Sequence, residues 1–190
     1  MLVRKHIHGL LSSYYKQPYN AVVGSVNPQN FKTSPIDFGG ILGEWHWRYT
    51  YQRLYREQEG QWLTPVELFR PFYSEIIGNF VAKEVETMIE KGKIIEPFQI
   101  VEIGGGRGTN AMCILDHLER IHPQLYSDLE SYTIMDSSPS LLDLMNKILI
   151  EGSISSENKR KTRSNRHVDK LLLKQVDMLD VAEKRSVLDK

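Results

Sequence analysis

The sequence predicts an α/β protein: part of a parallel sheet with helices on both faces, preceded by an N-terminal helical and irregular extension. Three observations carry that prediction. Short apolar runs at Phe98-Gln99-Ile100-Val101-Glu102-Ile103, Tyr132-Thr133-Ile134-Met135-Asp136 and Leu171-Leu172-Leu173-Lys174-Gln175-Val176-Asp177 have the length and continuity of buried parallel strands. Between them, apolar residues recur at helical spacing. A glycine cluster separates the first strand from the first helix, the junction at which open α/β sheets bind ligands.

Taken in order, residues 2–16 predict a helix with Leu2, Ile7, Leu10, Leu11 and Tyr14 near one face, ended by Pro18 and Asn20. Residues 19–61 mix Gly, Asn and Pro with Phe31, Phe38, Trp45 and Trp47, which predicts short strands and turns more than helices. Residues 1–63 thus form the extension, and residues 64–190 the N-terminal half of a domain. Thr64 is placed as an N-cap, Pro65 at the first helical position and Glu67 where it closes a capping box. Pro71 kinks or restarts this helix, and Ile77, Val81, Val85, Met88 and Ile89 then mark its inner face as far as Gly92. After the glycines, Ala111, Ile114, Leu115, Leu118 and Ile121 mark another helix, ended by His122-Pro123. A further helix spans 139–150, capped by Ser137 or Ser138. Residues 151–169 are polar and basic around Lys159-Arg160-Lys161-Thr162-Arg163, and read as a flexible surface loop in preference to a nucleic-acid patch.

Composition narrows the function classes. With 41% hydrophobic and 25% charged residues the chain can bury a core, and a formal net charge of zero provides no global field toward nucleic acid or an anionic membrane. The lone Cys113 cannot form an intramolecular disulfide, which favours a reducing compartment; on its helix it reads as a small buried packing residue. No run approaches the roughly 20 apolar residues of a membrane span. Residues 1–36 lack Asp and Glu, a composition compatible with a mitochondrial transit peptide and equally with a basic amphipathic first helix. His6 and His8 are two residues apart and the other histidines are scattered, so no metal site is expected. Trp45-His46-Trp47 reads as core or lid packing.

The glycine spacing is the most specific signal. In a dinucleotide fingerprint counted from Gly104, the third small residue falls at position 109, where Thr109 stands. The observed pattern is instead an acid at the strand end followed by alternating glycines: Glu102, then Gly104, Gly106 and Gly108. This resembles the first motif of class I methyltransferases. S-adenosylmethionine has no phosphate to cradle, but its amino acid moiety must lie close against backbone, which residues without a Cβ permit. Glu102 is placed to accept from the methionine ammonium, and backbone amides of the turn face the methionine carboxylate. Asp136 ends the second strand where it can accept from the ribose hydroxyls; Asp177 ends the third and can accept from the adenine amine, with Met178 packing on the ring. Two other classes compete. A nicotinamide-dependent oxidoreductase retains Asp136 but is disfavoured by Thr109, and a catalytically silent binding module would act through the aromatic N-terminal region.

Residues 98–149, with Glu102-Ile103-Gly104-Gly105-Gly106-Arg107-Gly108-Thr109 and Ile134-Met135-Asp136-Ser137-Ser138-Pro139-Ser140-Leu141, resemble the MidA-like family, the mitochondrial complex I assembly methyltransferases. Upstream, Gly60-Gln61-Trp62-Leu63-Thr64-Pro65-Val66-Glu67 is similar to that family's glycine-aspartate-aromatic, threonine-(serine)-proline-x-glutamate segment. The resemblance implies a Rossmann-like fold and S-adenosylmethionine as cofactor. It also implies symmetric dimethylation of an arginine in a complex I subunit, in the mitochondrial matrix. Three positions depart from the family: Gly105 replaces proline, Asp136 replaces glutamate and Gln61 replaces aspartate. The first two preserve the proposed chemistry, whereas the third leaves the role of the N-terminal segment open. The family's sheet also has more strands than the three recognisable here, which implies C-terminal truncation. Arginine, with a pKa above about 12, must lose a proton around the time of attack, and no base for that step is legible in these residues.

Overall fold

A computed structural model of the chain describes residues 36–57, 64–93, 97–151 and 166–176, together with helical backbone at Val3, His6, Ile7, Gly9, Leu10 and Ser13. Most of the expected first helix, the acid-poor leader, residues 60–63, the basic centre of the 151–169 loop, Asp177 and Met178 lie outside the described residues.

Three parallel strands, β1 (Phe98–Ile103), β2 (Leu129–Asp136) and β3 (Leu171–Gln175), form one sheet in the order β1-β2-β3. Their register pairs Glu102 with Ile134, Ile103 with Met135 and Asp136 with Gln175, so the C-terminal ends of all three strands meet along one rim. Helix α1 spans Glu44–Glu57, α2 Pro65–Leu68, α3 Phe72–Glu90, α4 Thr109–Ile121, α5 Pro123–Asp128 and α6 Pro139–Met145. The parallel sheet flanked by helices is the partial Rossmann-like α/β arrangement that the strand and glycine pattern predicts.

The core forms where α4 and α6 lie on the sheet. Ala111, Ile114, Leu115 and Leu118 of α4 meet Tyr132 and Ile134 of β2, Leu141, Leu144 and Met145 of α6, and Ala82 and Val85 of α3. Two positions expected on inner faces point out instead: Met88 near the end of α3 and Ile121 at the last residue of α4 are exposed. Both sit in a terminal turn, where the helix has passed the edge of the surface it packs on. Pro123 both prevents α4 from continuing and takes the first position of α5, a short helix that the sequence pattern does not reveal. Ser138 caps α6, its hydroxyl accepting from the Leu141 amide at 3.4 Å, and α6 runs on into a π-helical turn, Asn146–Ile150.

The stretch expected to hold short strands and turns contains α1, a 14-residue helix. Aromatic content favours strands, but between Gly43 and residue 58 there is no Gly or Pro to interrupt a helix, and Glu44 pairs with Arg48 one turn on at 2.6 Å. Leu54 packs in a second small core with Ile36 and Leu68, against which Phe38, Ile41 and Trp47 rest. The rings of Trp47, Phe38 and Phe69 stack on one another. Packing therefore holds for Trp47 but not for Trp45, which is exposed and stacks on His46.

The face of the sheet bearing Ile100, Tyr132 and Ile134 looks into the core, and the opposite face is less covered. There Val101 is 51% exposed, Ile103 60% and Leu172 47%.

Leu115 is fully buried at the centre of α4. Leu115→Ala is expected to lower the unfolding free energy by about 2–5 kcal/mol. Ile76→Ala, at an exposed position of α3, should change it by less than about 0.5 kcal/mol. Urea denaturation followed by circular dichroism measures both.

Candidate cofactor site

The turn from β1 into α4 is tied to β2 by Gly104, whose amide donates to the Met135 carbonyl at 2.8 Å. It closes on itself through the Gly108 amide and the Gly105 carbonyl, also at 2.8 Å. Its four glycines have different physical reasons. Gly104 and Gly106 have φ of +75° and +58°, and a Cβ on either would meet nothing within 4 Å, so the loop presents open backbone on that side. A Cβ on Gly105 would stand 2.2 Å from Ile134 Cγ2, and one on Gly108 2.4 Å from Leu149 Cδ1. These two glycines let the loop lie directly on the core.

Two carboxylates flank the loop at the strand ends. Glu102 is largely buried, with Oε1 accepting from Asn110 Nδ2 at 2.9 Å and Oε2 accepting from the Tyr132 hydroxyl at 3.1 Å. Burial pushes the Glu102 carboxyl above its ordinary range, partly offset by the donors on Asn110 and Tyr132. Burial beside Glu102 likewise raises the Tyr132 phenol far above its usual value, so the phenol stays a hydrogen-bond donor. Asp136 accepts from the Ser138 amide at 2.9 Å, and the Gly106 and Ser137 amides also donate to its carboxylate. Burial raises this group too, against the pull of those three amides. Asp136 thereby ties the end of β2 to the middle of the glycine loop.

Behind the loop lies a buried polar group. Thr64 occupies the N-cap position of α2 and Pro65 follows it, but the Thr64 side chain makes no capping bond. Glu67 does not close a capping box either. Its side chain turns inward, where Oε1 accepts from the Thr109 hydroxyl at 2.6 Å and Oε2 lies 3.8 Å from Arg70 Nη1. Residues 64–70 and the start of α4 are therefore joined across 42 positions of sequence. Cys113 is buried one turn further along α4, its thiol pushed up to about 11 by burial and by the nearby Asp116 carboxylate. A packing role agrees with that environment.

At the opposite, N-terminal ends of the strands, His167 is fully buried between Tyr126, whose hydroxyl is 2.7 Å from Nδ1, and Asp116. The ligand atoms of Asp116, Glu119 and His167 fall within 4.8 Å of one another. Arg166 lies in this group, 2.5 Å from Glu119 and 3.8 Å from Asp116, and so already supplies a positive charge there. Lys170 donates to the Leu129 carbonyl at 2.6 Å, fastening the same turn to the start of β2.

Of the residues expected at the site from sequence, Glu102, Gly104, Gly106, Gly108 and Asp136 converge on the loop and the adjoining strand ends, whereas Asp177 and Met178 are not described. Asn110 and Tyr132 are not legible as members of the group, while Thr109 is legible as the end of the glycine motif and Glu67 primarily as a cap, with a cofactor contact the lesser reading. Tyr132 and Glu102 meet across two strands, and Glu67 reaches Thr109 from a separate helix, so no local spacing announces either contact.

The pH dependence of stability follows from the two raised carboxyls. Between the ordinary value, 4.5 for glutamate, and the higher folded value, the folded chain binds more protons than the unfolded one, so stability falls as pH rises through that window. Glu102→Gln removes one titrating group while keeping the shape. The melting temperature of this variant relative to the unaltered chain should rise as pH is brought from below 4.5 to neutrality; a constant difference would show that Glu102 carries no such shift.

A family model described as "Putative S-adenosyl-L-methionine-dependent methyltransferase" matches residues 76–177, more than half of the 190-residue chain. The match runs from α3 through the glycine loop to the residue after Val176. No curated protein and no solved structure matches the chain. With β1, the glycine loop, Glu102 and Asp136 all inside the matched segment, the chain belongs to this MidA-like family of S-adenosylmethionine-dependent methyltransferases.

Proposed function

We propose that the chain is a protein arginine methyltransferase that symmetrically dimethylates a complex I subunit in the mitochondrial matrix and so aids complex I assembly. Family membership supports methyl transfer with S-adenosylmethionine; the arginine acceptor, the complex I partner and the compartment rest on the resemblance of residues 60–67 and 98–149. The observation that carries the cofactor reading is the open backbone at Gly104 and Gly106, set between the carboxylates of Glu102 and Asp136. A cradle that a side chain would fill, with the Glu102 carboxylate at its β1 end, fits the ammonium of an adenosyl amino acid better than a pyrophosphate, whereas Asp136 suits the ribose of either.

When bound, S-adenosylmethionine supplies an electrophilic methyl group on a sulfonium. The chain's own residues bind and orient it. Glu102, held from behind by Asn110 and Tyr132, is the proposed acceptor for the methionine ammonium. The Gly104, Gly106 and Gly108 amides already donate to the Met135 carbonyl, the Asp136 carboxylate and the Gly105 carbonyl, so those three do not serve the methionine carboxylate in this arrangement. Asp136 has about four lone-pair sites, which leaves room for a ribose hydroxyl beside the backbone donors it already accepts from. Asp177 and Met178, two and three residues beyond the end of β3, are the proposed adenine contacts. Gly108 contributes through its backbone, since its Cα side rests against Leu149.

Calorimetric titration of the chain is expected to show binding of S-adenosylmethionine and none of NAD. Gly106→Val and Asp136→Ala should each weaken methyl-donor binding by about tenfold or more. Incubation with labelled cofactor and an arginine-bearing complex I subunit should yield symmetric dimethylarginine by mass spectrometry. NAD binding in place of the methyl donor would sink the cofactor assignment. Cofactor binding without any transferred label would mark the chain as a silent binding module.

A further inference from the structure

We propose that Glu67 and Thr109 form a clamp that sets the glycine loop in its cofactor-binding conformation, which makes the short helix α2 a working part of the site. The proposal rests on the methyl-donor reading given above. Both side chains are withdrawn from water, Glu67 being 3% exposed and Thr109 2%. A buried carboxylate is costly unless it is satisfied, and here the Thr109 hydroxyl donates to it at 2.6 Å while the guanidinium of the equally buried Arg70 supplies an opposite charge at 3.8 Å, outside hydrogen-bond range. Within α2 the Glu67 side chain closes no capping bond. The helix is four residues long, and the Glu67 amide already donates to the Thr64 carbonyl at 3.0 Å.

What distinguishes this contact from an ordinary buried tie is where it ends. Thr109 is the first residue of α4 and follows Gly108, which has a φ of +79° and lies directly against Leu149. The junction between loop and helix is thus gripped from two sides, by Leu149 of the core and by Glu67 from α2. The open backbone at Gly104 and Gly106 is held by β2 on one side, through Met135 and Asp136, and by that junction on the other. If the clamp is released, the loop samples other arrangements, and apparent affinity falls by the fraction of time it spends outside the binding one. Glu67 and Thr109 are therefore positioning residues that act through the loop.

The test uses the full chain, calorimetric titration with S-adenosylmethionine, and a thermal melt of each variant. Thr109→Val keeps the shape and deletes the donor, and should weaken binding about tenfold. Thr109→Ser restores the hydroxyl and should bind within about threefold of the unaltered chain. Glu67→Gln retains an acceptor but lacks the full carboxylate, and should fall between them. The double variant should lose little more than Thr109→Val alone, because both changes act on one contact. Val85→Ala, in the core between α3 and α4, lowers thermal stability without touching the loop and should bind within about twofold. The clamp is overturned if Thr109→Val binds like the unaltered chain, or if Val85→Ala weakens binding as much as Thr109→Val does. Should Thr109→Val not fold, unchanged binding by Glu67→Met, which keeps the bulk and removes the acceptor, overturns it equally. Absence of binding by the unaltered chain is a separate result, one that removes the methyl-donor reading itself.

Discussion

The turn between β1 and α4 lies so close to the core that no Cβ fits at two of its positions, and the site depends on that closeness. Ile134 fills the space a Gly105 side chain would take, and Leu149 the space beside Gly108. Ile134 comes from β2, which ends in Asp136, and Leu149 from the π-helical turn that follows α6. One act of packing therefore fixes the loop relative to β2 and to the segment after α6. The same geometry turns Gly104 and Gly106 outward, where their missing side chains leave backbone accessible. A loop that packed less closely could keep the open positions, but not a defined distance from them to the strand-end carboxylates.

Burial of those carboxylates follows from the same arrangement and has a cost. Glu102 and Asp136 both resist ionisation more than free side chains do, because little water reaches them. The chain offsets this with fixed donors: Asn110 and Tyr132 for Glu102, and the Gly106, Ser137 and Ser138 amides for Asp136. Donors already in place mean that a cationic or hydroxyl-bearing ligand finds acceptors whose orientation is set before it arrives, which lowers the ordering cost of binding. The ends of the strands divide the work. At the N-terminal ends, Asp116, Glu119, Arg166, His167 and Tyr126 satisfy one another and fasten the turn before β3. At the C-terminal ends the acids are backed by donors on the protein side while the glycines stay open.

Much of this fold is legible in the sequence because its signals are local. Apolar continuity marks the three strands; periodicity marks α4; a serine ahead of a proline marks the start of α6. The glycine cluster and its neighbouring acids are likewise visible at fixed offsets. The aromatic run of α1 misleads, since propensity weighs aromatics toward strands, whereas here tertiary contacts of Leu54 and Trp47 with Ile36, Phe38 and Phe69 decide. Thr64-Pro65-Val66-Glu67 misleads in another way. The pattern for a capping box is complete, yet a stronger partner for Glu67, the Thr109 hydroxyl, comes from a distant part of the chain. Sequence spacing reports which bonds a residue can make with its neighbours and is silent on the competitors that folding brings in.

That competition also clarifies why residues 64–70 belong with the loop and not with the extension before them. A short helix such as α2, only four residues long, has little stability of its own, because helix nucleation costs more than so few bonds return. It must be held by tertiary contacts, and those contacts point in two directions. Leu68 packs with Leu54 and Ile36 in the small core under α1, while Glu67 reaches Thr109 behind the glycine loop. Adjacent residues on α2 thus connect the aromatic segment on one side to the glycine loop on the other. The α1 cluster and the loop are thus separated by a single turn of helix.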